Sequence, residues 1–185
     1  MWRRGRLSVA LAVAAAATLP ASAPTVSAGV RPCTIRGTAV SDRLRGTPGR
    51  DVICGLGGND RLFGFRGDDR IRGGRGADLI SGGPGADNLG GGHGYDSISG
   101  GRGADRLAGQ ESQDGLLDGG AGRDFISGGV ARDLCLLSVD GHGGDEINGG
   151  TGRDAYRADA GDRVRRAEDS PSVLACEPTP TPPPP

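Results

Sequence analysis

The sequence predicts an all-β fold, a parallel β-roll wound from short strands and tight loops. Three observations carry this. The first is a nine-residue period: GGRGADLIS, GGPGADNLG and GGHGYDSIS follow one another without a gap from Gly73 to Ser99. The second is composition. Glycine supplies 37 of 185 residues while aromatic residues are only 3%, so a conventional core of large side chains is not available. The third is an aliphatic residue at one fixed place in each unit, flanked by polar or small residues, which is the alternation of a short strand with one inward side chain.

The period holds without slip from Gly37 to Ala108, eight units of nine. It then loosens: 109–118 is a unit of ten, 119–127 of nine, 128–139 of twelve, 140–148 and 149–157 of nine, and 158–165 of eight, 14 units in all. Counting the first glycine as position one, position six is aspartate in every unit: Asp42, Asp51, Asp60, Asp69, Asp78, Asp87, Asp96, Asp105, Asp114, Asp124, Asp133, Asp145, Asp154 and Asp162. Position eight is Leu, Ile or Val in 12 units, the exceptions being Cys135 and Tyr156. If one unit makes a loop and a strand, two units make one coil, and loops on one side recur every 18 residues. Asp60 then stacks on Asp78, Asp69 on Asp87, Asp78 on Asp96, and Asp87 on Asp105.

The loop chemistry follows from the same positions. Glycines let the backbone turn tightly with φ > 0 and let carbonyl oxygens converge. The aspartate adds a carboxylate beside them. Carbonyls with carboxylates are the hard-oxygen set that calcium takes, about six to eight ligands at about 2.3–2.6 Å. One unit cannot complete that shell, but two stacked units can. The alternative is a ladder of Asx turns without metal, in which carboxylates would crowd one another with no cation between them.

These residues resemble the G-G-x-G-x-D-x-U-x nonapeptide of the RTX (repeats-in-toxin, hemolysin-type) calcium-binding proteins. The resemblance covers about residues 37–165. It implies a right-handed parallel β-roll holding several Ca2+ ions between its loops. Carried over position by position, the metal residues are Asp51, Asp60, Asp69, Asp78, Asp87, Asp96, Asp105, Asp124, Asp145 and Asp154. Asp114 and Asp133 are left out, because their units lack glycines and carry insertions, and the roll is expected to be irregular over 109–139. Gly37-Thr38-Ala39-Val40 lacks glycine at positions two and four, so the first unit is expected to be a cap. The toxin, protease and lipase activities of larger RTX proteins are not carried over.

The flanks have their own signatures. Arg3, Arg4 and Arg6 precede a 13-residue apolar run, Leu7–Leu19. Val26-Ser27-Ala28 then offers small residues, so residues 1–28 read as a cleaved secretory signal. Residues 29–36 form an N-terminal cap segment, 166–176 a C-terminal one, and Glu177–Pro185 a Pro-rich tail of extended, polyproline type. Four cysteines suit an oxidising compartment. Of the three pairings, Cys33–Cys54 with Cys135–Cys176 is favoured, because each closes one end of the repeat array.

Charge and motifs limit the function classes. All 22 basic residues are arginine; beyond residue 28, 19 remain against 23 acids, a net charge of −4. That is no footprint for nucleic acid, and no membrane insertion is expected after signal cleavage. His93 and His142 lie five units apart, both at variable position three. There is no H-E-x-x-H and no G-x-S-x-G, so no enzyme is predicted. The expectation is a secreted calcium-binding protein, folded by its ions. The alternatives are a calcium-dependent cell-surface or matrix interaction protein and, more distantly, a secreted enzyme.

Overall fold

The structure is a computed structural model and describes residues 32–165. The expected signal at 1–28, the C-terminal cap segment and the Pro-rich tail lie outside the described residues. Fifteen strands follow in order: β1 (Ile35–Arg36), β2 (Arg43–Arg45), β3 (Val52–Gly57), β4 (Arg61–Phe63), β5 (Arg70–Arg75), β6 (Leu79–Pro84), β7 (Asn88–His93), β8 (Ser97–Arg102), β9 (Arg106–Gln110), β10 (Leu116–Ala121), β11 (Phe125–Val130), β12 (Cys135–Ser138), β13 (Glu146–Thr151), β14 (Tyr156–Ala158) and β15 (Arg163–Arg165). Odd strands make an eight-stranded sheet and even strands a seven-stranded one, each in sequence order. Every pairing is parallel. Two nine-residue units therefore make one coil, and strand n pairs with strand n+2.

The aliphatic residues form two files between the sheets. Ile53, Ile71, Leu89, Leu107, Ile126 and Ile147 run down one sheet, and Leu62, Ile80, Ile98, Leu117 and Leu136 down the other. In the register, Ile53 pairs with Ile71, Ile71 with Leu89, and Leu89 with Leu107. Each buried side chain contributes about 1.5–3 kcal/mol, and the file is only one residue wide per strand. Ile35 and Leu44 close the core at the start, and Tyr156, Ala158 and Val164 at the end.

Residues 109–139 do not interrupt the roll. β10 pairs with both β8 and β12. The longer units absorb an extra residue between the aspartate and the strand. Leu116 pairs with Ser97 and Leu117 with Ile98, so the inward residue is Leu117, three after Asp114. Likewise Leu136, not Cys135, faces the core, three after Asp133. The strand register thus corrects the alignment of position eight in these two units: one inserted residue shifts the alternation, and burial selects the next leucine.

Two of the missing glycines are replaced by residues that keep the left-handed turn. Gln110 and Ala131 hold φ of 88° and 89°, a left-handed conformation that costs an L-residue about 1–2 kcal/mol. A disulfide joins Cys33 to Cys54, as expected, tying the N-terminal segment to β3. Cys135 is disulfide-bonded as well; its expected partner, Cys176, lies outside the described residues.

Candidate metal centre

The aspartates form two files, one along each row of loops. Each carboxylate Oδ1 accepts the backbone N–H of the aspartate one coil earlier. Asp42 N–H donates to Asp60, Asp60 to Asp78, Asp78 to Asp96, Asp96 to Asp114, and Asp114 to Asp133, at 2.7–3.1 Å. In the second file Asp51 donates to Asp69, Asp69 to Asp87, Asp87 to Asp105, Asp105 to Asp124, and Asp124 to Asp145, at 2.7–2.8 Å. The four stackings expected from the 18-residue repeat are all present. Asp154 is buried and accepts from Asp133 at 3.0 Å.

The second oxygen behaves differently. The Oδ2 atoms of Asp60, Asp69, Asp78, Asp87, Asp96, Asp105, Asp114, Asp124, Asp133 and Asp145 are buried without a hydrogen-bond partner. An unsatisfied buried acceptor costs about 1–3 kcal/mol, more when charged. Ten of them would match or exceed the whole net stability of a domain, about 5–15 kcal/mol. Something else must meet these atoms.

The space beside them is shaped by glycine. A Cβ built on Gly100 would lie 2.5 Å from Asp105 Oδ2 and 2.5 Å from the Gly119 carbonyl oxygen, which belongs to the next coil. At Gly82 the corresponding atoms are Asp87 Oδ2 and the Gly100 carbonyl, the latter at 2.7 Å. At Gly73 they are Asp78 Oδ2 and the Gly91 carbonyl, at 2.6 Å. A carboxylate oxygen and a carbonyl oxygen from two coils thus converge where any other residue would place a methyl group. Among the described residues no group of three His, Cys, Asp or Glu side chains gathers as a metal cluster. The donor set is one of backbone carbonyls and carboxylates spaced a coil apart, and it fits a hard, oxygen-seeking cation.

The electrostatics agree. Burial, first, pushes the carboxyl of Asp96, Asp105 and Asp114 up to about 7, against the lowering effect of the hydrogen bond each accepts from a backbone amide; repulsion from the neighbouring aspartates adds to the rise. The same causes push Asp78, Asp87, Asp124 and Asp133 up to about 6, and raise Asp60, Asp69 and Asp145. Among the described residues, none of the ion pairs involves the ten carboxylates from Asp60 to Asp145 in the two files.

A family model of the RTX calcium-binding nonapeptide repeat matches the chain four times, over residues 36–64, 63–98, 81–116 and 112–135. The matches run continuously over more than half of the chain. The chain belongs to the RTX calcium-binding nonapeptide repeat family. No curated protein matches it. The RTX ladder continues past the last match, through Asp145 and to Asp162.

Two residues set aside by sequence reasoning belong to the ladder. Asp114 and Asp133 have the same Oδ1 bond and the same unpartnered Oδ2 as their neighbours. The lost glycines of their units argued against them. The signal that could have kept them was the unbroken aspartate with a leucine three residues on. Asp51 departs in the other direction. Its Oδ2 accepts the Thr47 N–H at 2.6 Å and the Thr47 hydroxyl at 2.9 Å.

Proposed function

We propose that this RTX chain is a secreted calcium-binding β-roll protein whose folding is coupled to the binding of several Ca2+ ions between stacked loops. The single observation that carries this reading is the set of ten buried, unpartnered Oδ2 atoms, of which all but that of Asp145 lie beside the position-one glycine of their unit. The residues that would hold the ions are Asp60, Asp69, Asp78, Asp87, Asp96, Asp105, Asp114, Asp124, Asp133 and Asp145, with Asp154 next in its file. Calcium supplies the positive charge that the two files lack.

The rest of the mechanism belongs to the chain. The aspartate amide donates to the carboxylate of the next coil, which orients that carboxylate. The position-one glycine keeps the space beside it open. The aliphatic file holds successive loops in register. Ions that bind the folded roll and not the unfolded chain convert binding energy into folding energy. Extracellular modules typically bind calcium at about 10⁻⁴–10⁻³ M. Before export the chain would stay unfolded, and it would fold on meeting external calcium. The N-terminal signature and the Cys33–Cys54 bond support the secreted reading.

Far-UV circular dichroism of the purified chain in chelator, titrated with calcium and then with magnesium, tests this. A coil-to-β transition with calcium alone is expected, because magnesium demands a small octahedral site and gives up its waters reluctantly. A full β spectrum already present in chelator overturns the coupling.

A further inference from the structure

Both files begin, and the second file ends, on a carboxylate whose Oδ2 is not left to a cation. Asp42 and Asp51 are the first aspartates of the two files. Asp42 Oδ2 accepts the Thr38 N–H at 2.6 Å and the Thr38 hydroxyl at 2.9 Å. Asp51 Oδ2 accepts the same pair from Thr47, at the same distances. At the far end Asp162 Oδ2 accepts the Ser138 hydroxyl at 3.0 Å and the Asp159 N–H at 2.7 Å. Its Oδ1 takes the Gly144 and Asp145 amides. Each of these terminal carboxylates receives one hydroxyl and one amide on the oxygen that ten others leave bare.

The difference sits at position two of the unit. From the third unit to the thirteenth that residue is left-handed, as at Leu56 with φ 83°, Phe65 at 76°, Gly74 at 121°, Gly83 at 113°, Gly92 at 119° and Gln110 at 88°. Thr38 and Thr47 are not among the residues with positive φ. Absence of glycine does not explain this, because leucine and phenylalanine accept the left-handed strain and leave Asp60 and Asp69 Oδ2 bare. The threonine hydroxyl does explain it. It offers the carboxylate a donor, and the amide follows it inward in the turn preference of Ser and Thr.

We infer that Thr38 and Thr47 are built-in substitutes for a calcium ion, with Ser138 playing the same part at the C-terminal end, so that Asp42, Asp51 and Asp162 are structural caps and not ligands. This rests on the calcium reading of the middle coils. The caps fold from protein donors alone, and the Cys33–Cys54 bond fastens the first of them. They give the metal-dependent coils a fixed edge on which to stack.

Calcium stoichiometry by native mass spectrometry of the full chain tests the inference, with hydrogen exchange in chelator as a second readout. Asp51→Asn is expected to leave the calcium count of the wild type, and Asp87→Asn to lower it by at least one. Thr47→Gly is expected to raise the count by one and to remove the protection of residues 46–54 in chelator, which binding calcium then restores. If Asp51→Asn lowers the count as Asp87→Asn does, the cap is overturned while the calcium reading stands. If Asp87→Asn leaves the count unchanged, the calcium reading falls and the cap with it. Residues 46–54 exchanging in chelator as fast as 82–90 in the wild type also overturns it.

Discussion

The first coil and the middle coils of this roll use one aspartate in two ways. In both, the carboxylate is held against the loop of its own unit, five residues from the position-one glycine. In the first two units a threonine at position two meets its outer oxygen. In the middle, glycine, leucine, phenylalanine or glutamine stands there in a left-handed turn and the oxygen is left for something else. On the calcium reading, the comparison teaches that the ion's place at the outer oxygen can be taken by a hydrogen-bond donor of the chain itself. Where the chain supplies its own, the ladder ends.

The largest expected effect comes from filling the cradle in the middle. Gly100→Ala places a methyl group 2.5 Å from both Asp105 Oδ2 and the Gly119 carbonyl, and neither can retreat without leaving the ladder. Overpacking of this kind costs about 1–3 kcal/mol or more. The variant is expected to lose calcium sites and to show a clear fall in the urea midpoint measured in calcium. An unchanged midpoint and calcium count would break the distinction between middle and ends.

A smaller effect, but one with opposite signs in two conditions, is expected from pH. The middle carboxyls, held near 6–7 by burial, bind protons in the folded metal-free chain that the unfolded chain has released near 3.8. Between about pH 4 and 7 the native state therefore holds more protons, and stability in chelator falls as pH rises. Calcium needs the ionised form, so in calcium stability rises over the same window and binding releases protons. Asp162 runs the other way: burial opposes ionisation, but four hydrogen bonds outweigh it and hold its carboxyl below the usual value. Its contribution is present above the unfolded value and is lost as the solution becomes more acid. Because calcium bound only to the folded roll never lowers its stability, urea midpoints with and without chelator should converge towards pH 5 and separate as pH rises to 8. Parallel curves would contradict the account.

The smallest effect is the control. At Gly49, in the second cap unit, a Cβ would meet nothing closer than the Thr47 hydroxyl at 3.7 Å. Gly49→Ala is expected to shift stability by less than about 0.5 kcal/mol and to leave the calcium count alone. A loss as large as that of Gly100→Ala would mean that the fall there is a general cost of adding a methyl group to these loops and not of filling the space beside Asp105.

Much of this was legible in the sequence because the roll is periodic and its physics is local. The nine-residue period set the strand pairing, and the 18-residue stacking of Asp60 on Asp78 and Asp87 on Asp105 followed from it. What escaped were places where one residue changes the outcome without changing the pattern. An inserted residue moved the core position to Leu117 and Leu136, since burial chooses the side chain and not the count. Gln110 and Ala131 kept the left-handed turn at a cost in strain, so Asp114 and Asp133 stayed in the ladder. Thr47 is, in the sequence, only a non-glycine at position two of an otherwise regular GTPGRD unit. Only the hydrogen bonds reveal that its hydroxyl occupies the oxygen on which the assignment of Asp51 as a ligand rested.

The most direct test is a crystal structure grown in calcium, with anomalous scattering to locate the ions. The account predicts peaks about 2.3–2.6 Å from the Oδ2 atoms of Asp78, Asp87, Asp96 and Asp105, and none at Asp51. Those oxygens bonded instead to water or to protein donors, with no anomalous density along either file, would contradict it.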